Sequence, residues 1–167
     1  KFLYDIKAIP VSEPFKVRMN RGLVLGADGK KMSKSKGNTI NPDELVKKYG
    51  ADTVKSYLAF IGPFNEVGSY PWNTDSVVGI RKFFDRVWAY QTSLSPDADT
   101  TNVYPELQKT IQKVGKGIEE MKFNTALASL MSFMNVLGDA KETTPEIYKT
   151  FITLLAPFAP HITEEIW

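Results

Sequence analysis

Residues 30–38, KKMSKSKGN, hold four lysines and two serines and end on Gly37-Asn38. These residue types suit a polyanion. Lysine ammonium groups supply point charges, serine hydroxyls hydrogen-bond phosphate oxygens, and glycine lets the backbone approach closely. Where charge grows on a leaving pyrophosphate, a mobile lysine stabilises the transition state more than the ground state. The same mobility opens the loop for product release. Charge and composition alone leave a solvated basic run equally open. The Gly-x4-Gly-Lys-Ser/Thr phosphate loop is not the pattern, since Asn38 and not lysine follows Gly37. A localisation-type basic run fits poorly, because Met32 interrupts it and structured segments flank it.

The flanking elements must hold this loop. On its N-terminal side Leu23, Val24 and Leu25 suit a strand, and Asp28-Gly29 signals a tight turn, so the spacing predicts a small hairpin over residues 23–33. On its C-terminal side Asn41 reads as a helix cap, with Pro42 at the first helical position and Glu44 three residues after the cap. Gly50 closes that short helix. A second short helix follows, with Val54, Leu58 and Ile61 on one face, and then the Gly/Pro-rich linker GPFNEVGSYPW at 62–72. Upstream, Pro10 and Pro14 keep the apolar start of the chain from forming a long helix.

Beyond the linker the period changes to that of longer helices. Val77, Ile80, Phe84, Val87 and Leu94 make one stripe, widened by Trp88. Leu107, Ile111, Val114, Ile118 and Met121 make a second, and Leu127, Leu130, Met134 and Leu137 a third. Ile147, Phe151, Leu154, Leu155 and Phe158 make a fourth, and Met121, Met131 and Met134 take core spacing. Four amphipathic helices with short connections predict an antiparallel bundle. The expected fold class is mainly α: a helical bundle preceded by a small β-hairpin and short-helix connecting segment.

Composition narrows the chemistry. With no cysteine, disulfides and thiolate metal sites are excluded, and one histidine, His161, leaves no metal site to expect. His161, at a helix start, reads as a capping or packing residue, and Glu164-Glu165 as first-turn partners of the helix dipole. No apolar run approaches the ~20 residues that span a bilayer. Residues 1–55 carry 12 Lys/Arg against 6 Asp/Glu, a net +6, whereas residues 56–167 carry 9 against 13, a net −4. An anionic partner is therefore drawn to the N-terminal third.

Lys31-Met32-Ser33-Lys34-Ser35 resembles the Lys-Met-Ser-Lys-Ser motif of class I aminoacyl-tRNA synthetases. The run from 31 to 60 is similar to the one that follows the motif in the leucyl, isoleucyl and valyl branch. Gly37-Asn38, Pro42 and Tyr49-Gly50-Ala51-Asp52 sit at matching offsets. EPFK at 13–16, GPF at 62–64, Pro71-Trp72 and GIRKFFDRVW at 79–88 resemble the leucyl-tRNA synthetases. So do FNTALASLMSFMN at 123–135 and APFAPHITEEIW at 156–167, the last being partly shared with valyl enzymes. The resemblance covers nearly the whole chain. It departs at Gly115 and Gly117, each of which weakens a helix by about 1 kcal/mol relative to alanine.

The resemblance implies an enzyme that activates leucine with ATP, Mg2+ accompanying the ATP, and charges tRNA(Leu) as a cytoplasmic monomer. Lys34 would contact the phosphates catalytically and Lys31 would assist. Ser33 and Ser35 would hydrogen-bond phosphate or shape the loop, and Met32, within the same ATP-binding motif, would dock it against protein. Residues 1–22 would be the tail of the catalytic domain, 23–70 the motif loop and stem-contact segment, and 71–167 an anticodon-binding-type bundle cut short at its C-terminus. Arg81, Lys82 and Arg86 would meet tRNA phosphates. The alternative is a solvated face with intrahelical pairs such as Lys82 with Asp85, and structural roles for Arg86 and Trp88. Trp72 would plug the linker onto the bundle. Lys1 in place of Met and the ending HITEEIW lead us to expect a piece of a longer protein, inactive alone, without the family's His-x-Gly-His motif, leucine pocket or editing insertion. Two rivals remain: a stand-alone RNA-binding module of this fold, which would not need the intact 31–35 motif, and a valyl or isoleucyl enzyme.

Overall fold

A short strand with a tight turn is the first β element of the protein, which a computed structural model describes over residues 1–18, 22–64 and 68–167. Residues 65–67 of the expected linker and 19–21 of the expected tail lie outside the described residues. Before the strand, a single turn of helix, α1 (Phe2–Asp5), sits among largely exposed residues. Strand β1 (Val24–Leu25) leads into the turn, where Gly29 takes φ 71° and its N–H donates to the Gly26 carbonyl at 2.9 Å. The returning arm touches β1 through one antiparallel bridge, Leu25 to Lys31. Most of the pairing of β1 comes instead from the linker. Strand β2 (Tyr70–Pro71) runs parallel to it in the register Val24–Tyr70 and Leu25–Pro71. Pro71 has no N–H to give, which suits an edge strand; Tyr70 and Trp72 supply the donors, to Leu23 and Leu25.

After a 3-10 turn at Lys34–Lys36 come α2 (Pro42–Tyr49) and α3 (Ala51–Phe60). Asn41 caps α2, accepting from the Asp43 N–H at 3.0 Å, while its own amide donates to Glu44 at 3.3 Å. Gly50, at φ 89°, separates the two helices in a conformation that disfavours a side chain. Helix α3 packs on α2, α4, α6 and α8. Of its expected stripe only Val54 is buried, and Leu58 and Ile61 are half-buried. Asp52, Thr53, Ser56 and Tyr57 are buried as well, because a helix with neighbours on several sides has no single apolar face.

The bundle consists of α4 (Thr74–Ala89), α5 (Val103–Glu119), α6 (Phe123–Ala140) and α7 (Pro145–Leu155), closed by α8 (Pro160–Ile166). Eight α-helices and two short strands are thus present among the described residues, a mainly α architecture. On α4, Val77, Ile80, Phe84 and Val87 are buried as expected. The widening residue, however, is Phe83, while Trp88 is 48% exposed. All four stripe residues of α6 are buried. Tyr148 donates to the Val87 carbonyl at 2.6 Å and Tyr90 to the Leu137 carbonyl at 2.9 Å, pinning α7 to α4 and the end of α4 to α6. Trp72 is buried edge-on against Tyr57, ring centroids 4.6 Å apart.

Helix α5 is rotated from the expected stripe. Its buried line is Val103, Leu107, Thr110, Val114 and Gly117, and Ile118 and Met121 are each 37% exposed. Gly117 gives the reason. A Cβ there would lie 3.0 Å from the Ala126 Cβ and 3.3 Å from the Lys122 carbonyl oxygen. The missing side chain lets α6 close on α5 across the three-residue connection, and this contact decides which face turns inward. A Cβ on Gly115 would meet nothing within 4 Å.

The two glycines should therefore respond oppositely. Gly117→Val should lower unfolding free energy by about 1–3 kcal/mol through overpacking. Gly115→Ala should raise it by up to about 1 kcal/mol through helix propensity. Urea denaturation followed by circular dichroism measures both, and two shifts of the same sign would contradict this account of the α5–α6 contact.

Candidate functional site

The loop from Gly26 to Asn38 is organised by side chains of opposite hydrogen-bonding character. Asp28 accepts the Lys30 N–H at 3.1 Å, and both its oxygens lie 3.2 Å from the Asn38 amide nitrogen. The same nitrogen reaches the Lys31 carbonyl at 3.4 Å. The Asn38 amide oxygen accepts the Ser33 N–H at 2.8 Å, and the Ser33 and Ser35 hydroxyls bond each other at 2.8 Å. Gly37 closes the 3-10 turn at φ 66°, in the left-handed region.

Within this frame Lys31, Lys34 and Lys36 are exposed and make no ion pair among the described residues. Met32 is half-buried and packs against the core. The loop thus offers three free ammonium groups in six residues beside two serine hydroxyls, a surface able to take phosphate oxygens. Its one carboxylate is already occupied. The Lys30 N–H, then the Asn38 amide, hold the Asp28 carboxyl below its ordinary value of 3.8. A depressed acid contributes to the loop's order above its unfolded pKa, and that contribution is lost as pH falls through the lower folded one.

Arg81, Lys82 and Arg86 share α4 but face different duties. Arg81 pairs with Asp85 at 2.9 Å and donates to the Tyr49 carbonyl at 3.3 Å, tying α4 to the end of α2. Arg86 donates to the Asn135 amide oxygen at 2.9 Å and the Met134 carbonyl at 3.3 Å, tying α4 to α6. Lys82 is exposed, and the Asp85 expected beside it is taken by Arg81. Arg81 lines a cleft of about 440 Å³ with Asp52, Trp88 and His161. Asp28 and Asn38 edge a different one of about 520 Å³, with Asn41, Glu44, Trp72 and Thr74.

The start of α8 differs from expectation. The cap is Asp52, from α3: its carboxylate accepts the Ile162 N–H at 2.8 Å and meets His161 Nδ1 at 2.7 Å. The His161 side chain itself is 77% exposed. Glu164 and Glu165 lie beyond the first turn, so the charge at the positive end of α8 is that of Asp52. Asp52 and Asn38 stood in the sequence only as parts of a recognisable run. No local signal pairs Asp52 with a helix start 110 residues away.

Among the described residues, no helix is long and apolar enough to cross a membrane and no group of three or more His, Cys, Asp or Glu converges to hold a metal ion. Residues 6–67 match the family model "tRNA synthetases class I (I, L, M and V)", and residues 102–167 match "Anticodon-binding domain of tRNA ligase". The chain is 46% identical over its whole length to a leucine–tRNA ligase of Alkaliphilus oremlandii and 41% identical to one of Pelodictyon phaeoclathratiforme. It spans 21% of the length of each. Among solved structures it resembles LeuRS of Agrobacterium radiobacter K84, crystallised as a ternary complex with tRNA and LeuAMS. The TM-score is 0.81 and the identity 32%, over all of this chain and 24% of that one. Methionyl-tRNA synthetase of Mycobacterium tuberculosis, in complex with methionyl-adenylate, shares the fold at a TM-score of 0.64 and 19% identity, over 87% of this chain and 36% of that one.

Removing the shared cap should loosen α8. Asp52→Ala should cost about 1–2 kcal/mol of unfolding free energy, the usual loss for a helix cap. Hydrogen exchange should locate the lost protection at Ile162 and its neighbours, and unchanged protection there would show that Asp52 does not hold the helix.

Proposed function

We infer that this chain, which belongs to the class I tRNA synthetases of the isoleucine, leucine, methionine and valine branch, is part of a leucine–tRNA ligase. The whole protein activates leucine with ATP and charges tRNA(Leu). This part supplies the loop that meets the ATP phosphates and a helical tRNA-binding domain. The observation that carries the reading is the motif loop itself, with Lys31, Lys34 and Lys36 exposed, and without an ion pair among the described residues, on a frame built from Asp28 and Asn38.

The proposed chemistry follows from charge. As the leucine carboxylate attacks the α-phosphorus, negative charge accumulates on the departing pyrophosphate. Lys34, assisted by Lys31, neutralises it, and a charge that strengthens its contact only as the bond breaks lowers the barrier. Ser33 and Ser35, already bonded to each other, hold the turn that presents Lys34. Met32 anchors the loop on the core. Mg2+ travels with the triphosphate, and the contribution of this chain is the positive charge of its lysines.

The domain division proposed is 1–22 as the end of the catalytic domain, 23–70 as motif loop and stem-contact segment, and 71–167 as the anticodon-binding-type bundle. Of the three basic residues on α4, Lys82 best supports a phosphate contact, because Arg81 and Arg86 spend hydrogen bonds on the protein. The protein works in the cytoplasm as a monomer in this reading.

In the full-length protein, Lys34→Ala should lower the turnover of leucine-dependent ATP–pyrophosphate exchange by more than about tenfold, with a smaller effect on leucine binding. An unchanged rate removes Lys34 from the mechanism, and exchange with valine or isoleucine in place of leucine reassigns the enzyme. Lys82→Ala should reduce the slope of log tRNA affinity against log salt by about one phosphate contact. An identical slope would leave Lys82 a solvated surface charge.

A further inference from the structure

The orientation of Asn38 is dictated by its neighbour. An ionised carboxylate only accepts hydrogen bonds, so beside Asp28 the Asn38 side chain must turn its NH2 toward it. Its oxygen is then left facing the Ser33 N–H, at 2.8 Å. One amide therefore grips the loop at three places: the Asp28 carboxylate, the Lys31 carbonyl and the Ser33 N–H. Space for the grip comes from Gly26, where a Cβ would sit 2.7 Å from Asp28 Oδ1 and 3.1 Å from Asn38 Nδ2. The two fixed backbone groups bracket Met32, which the core holds, and Lys34 follows immediately. Nothing in the chemistry of phosphate binding requires Asp28. A carboxylate beside four lysines weakens their attraction for an anion, so its place needs another reason.

Resting on the reading that this loop acts on ATP phosphates, we infer that the Asp28–Asn38 pair is the device that sets where Lys34 meets the triphosphate. Asn38 is a positioning residue, acting through Ser33 and Lys31 and touching no substrate. Asp28 serves as the acceptor that keeps the Asn38 amide from flipping. A shift of an ångström in the charge that meets a leaving group costs on the order of a hundredfold in rate. The pair therefore bears on adenylate formation and not on leucine binding.

The test uses the full-length protein, with rates normalised to active sites by titration. Asn38→Asp keeps an acceptor for the Ser33 N–H but sets two carboxylates against each other. It should lower kcat of leucine-dependent ATP–pyrophosphate exchange by about ten- to a hundredfold and leave KM for leucine unchanged. Transfer of leucine from preformed leucyl-adenylate to tRNA, a step with no triphosphate to hold, should keep its rate. The double variant D28N/N38D restores an amide–carboxylate pair with its polarity reversed and keeps an acceptor for the Ser33 N–H, though not the donor to the Lys31 carbonyl, and should recover part of the loss. Equal loss of exchange and transfer would reduce Asn38 to a fold-holding residue and overturn the inference. So would a double variant as slow as Asn38→Asp. Lys34→Ala, measured alongside, separates the two levels. Full exchange in Lys34→Ala sinks the phosphate reading itself. A slow Lys34→Ala beside an unimpaired Asn38→Asp sinks the clasp alone.

Discussion

Helix α3 packs on α2, α4, α6 and α8, and it is fixed to the elements around it by polar hooks. Asp52 caps α8, the Ser56 hydroxyl donates to the Phe158 carbonyl at 3.0 Å, and the Tyr57 hydroxyl accepts the Asn73 N–H at 2.9 Å. Each hook satisfies a backbone group that the close approach of two elements would otherwise strand, at a cost of about 1–3 kcal/mol for each buried group left unpaired. A purely apolar α3 would bury as much surface and leave those ends unsatisfied. The polar residues therefore decide that α3 meets the end of α7, the start of α8 and the start of α4 at these places. Because α2 and the motif loop precede α3 directly, they inherit their position from it.

The motif loop obeys the opposite rule. It carries little burial, and its lysines stay hydrated, so concentrating like charge there costs little to folding. Shape comes from one carboxylate and one amide, with Gly26 and Gly37 giving the room and the left-handed turn. A loop held in this way fixes its backbone at Lys31 and Ser33 while the lysine side chains reach into solvent. The bundle, in contrast, is held by packing, with the hydroxyls of Tyr90 and Tyr148 fixing helix positions from inside.

Much of this was legible beforehand. The α6 stripe, the Asn41-Pro42 cap and the Asp28-Gly29 turn are local signals, and each lies where its spacing places it. The motif and its surroundings resembled the leucyl branch partly through exposed loop residues, such as Lys31 and Lys34, and partly through stretches that pack in the core, such as Trp72 and Leu127. The misses share a cause. Trp88, Ile118 and Met121 look like core residues because periodicity counts apolar side chains without knowing which face a neighbouring helix will cover. Gly117 looked like a weakness because its value lies in Ala126, on another helix.

The sequence by itself determined the period, the caps, the turns and the placing of charge, since each depends on residues within a few positions of one another. Tertiary structure alone decided which side of α5 faces α6, which strand completes β1, and what charge sits at the start of α8. It also decided that Arg86 serves α6 and that Asn38 is locked by Asp28. Those outcomes turn on distances between groups that are far apart in sequence or that meet only when a loop closes. A hydrogen bond or a missing Cβ acts over about 3 Å, and no sequence spacing encodes that distance until the chain has folded.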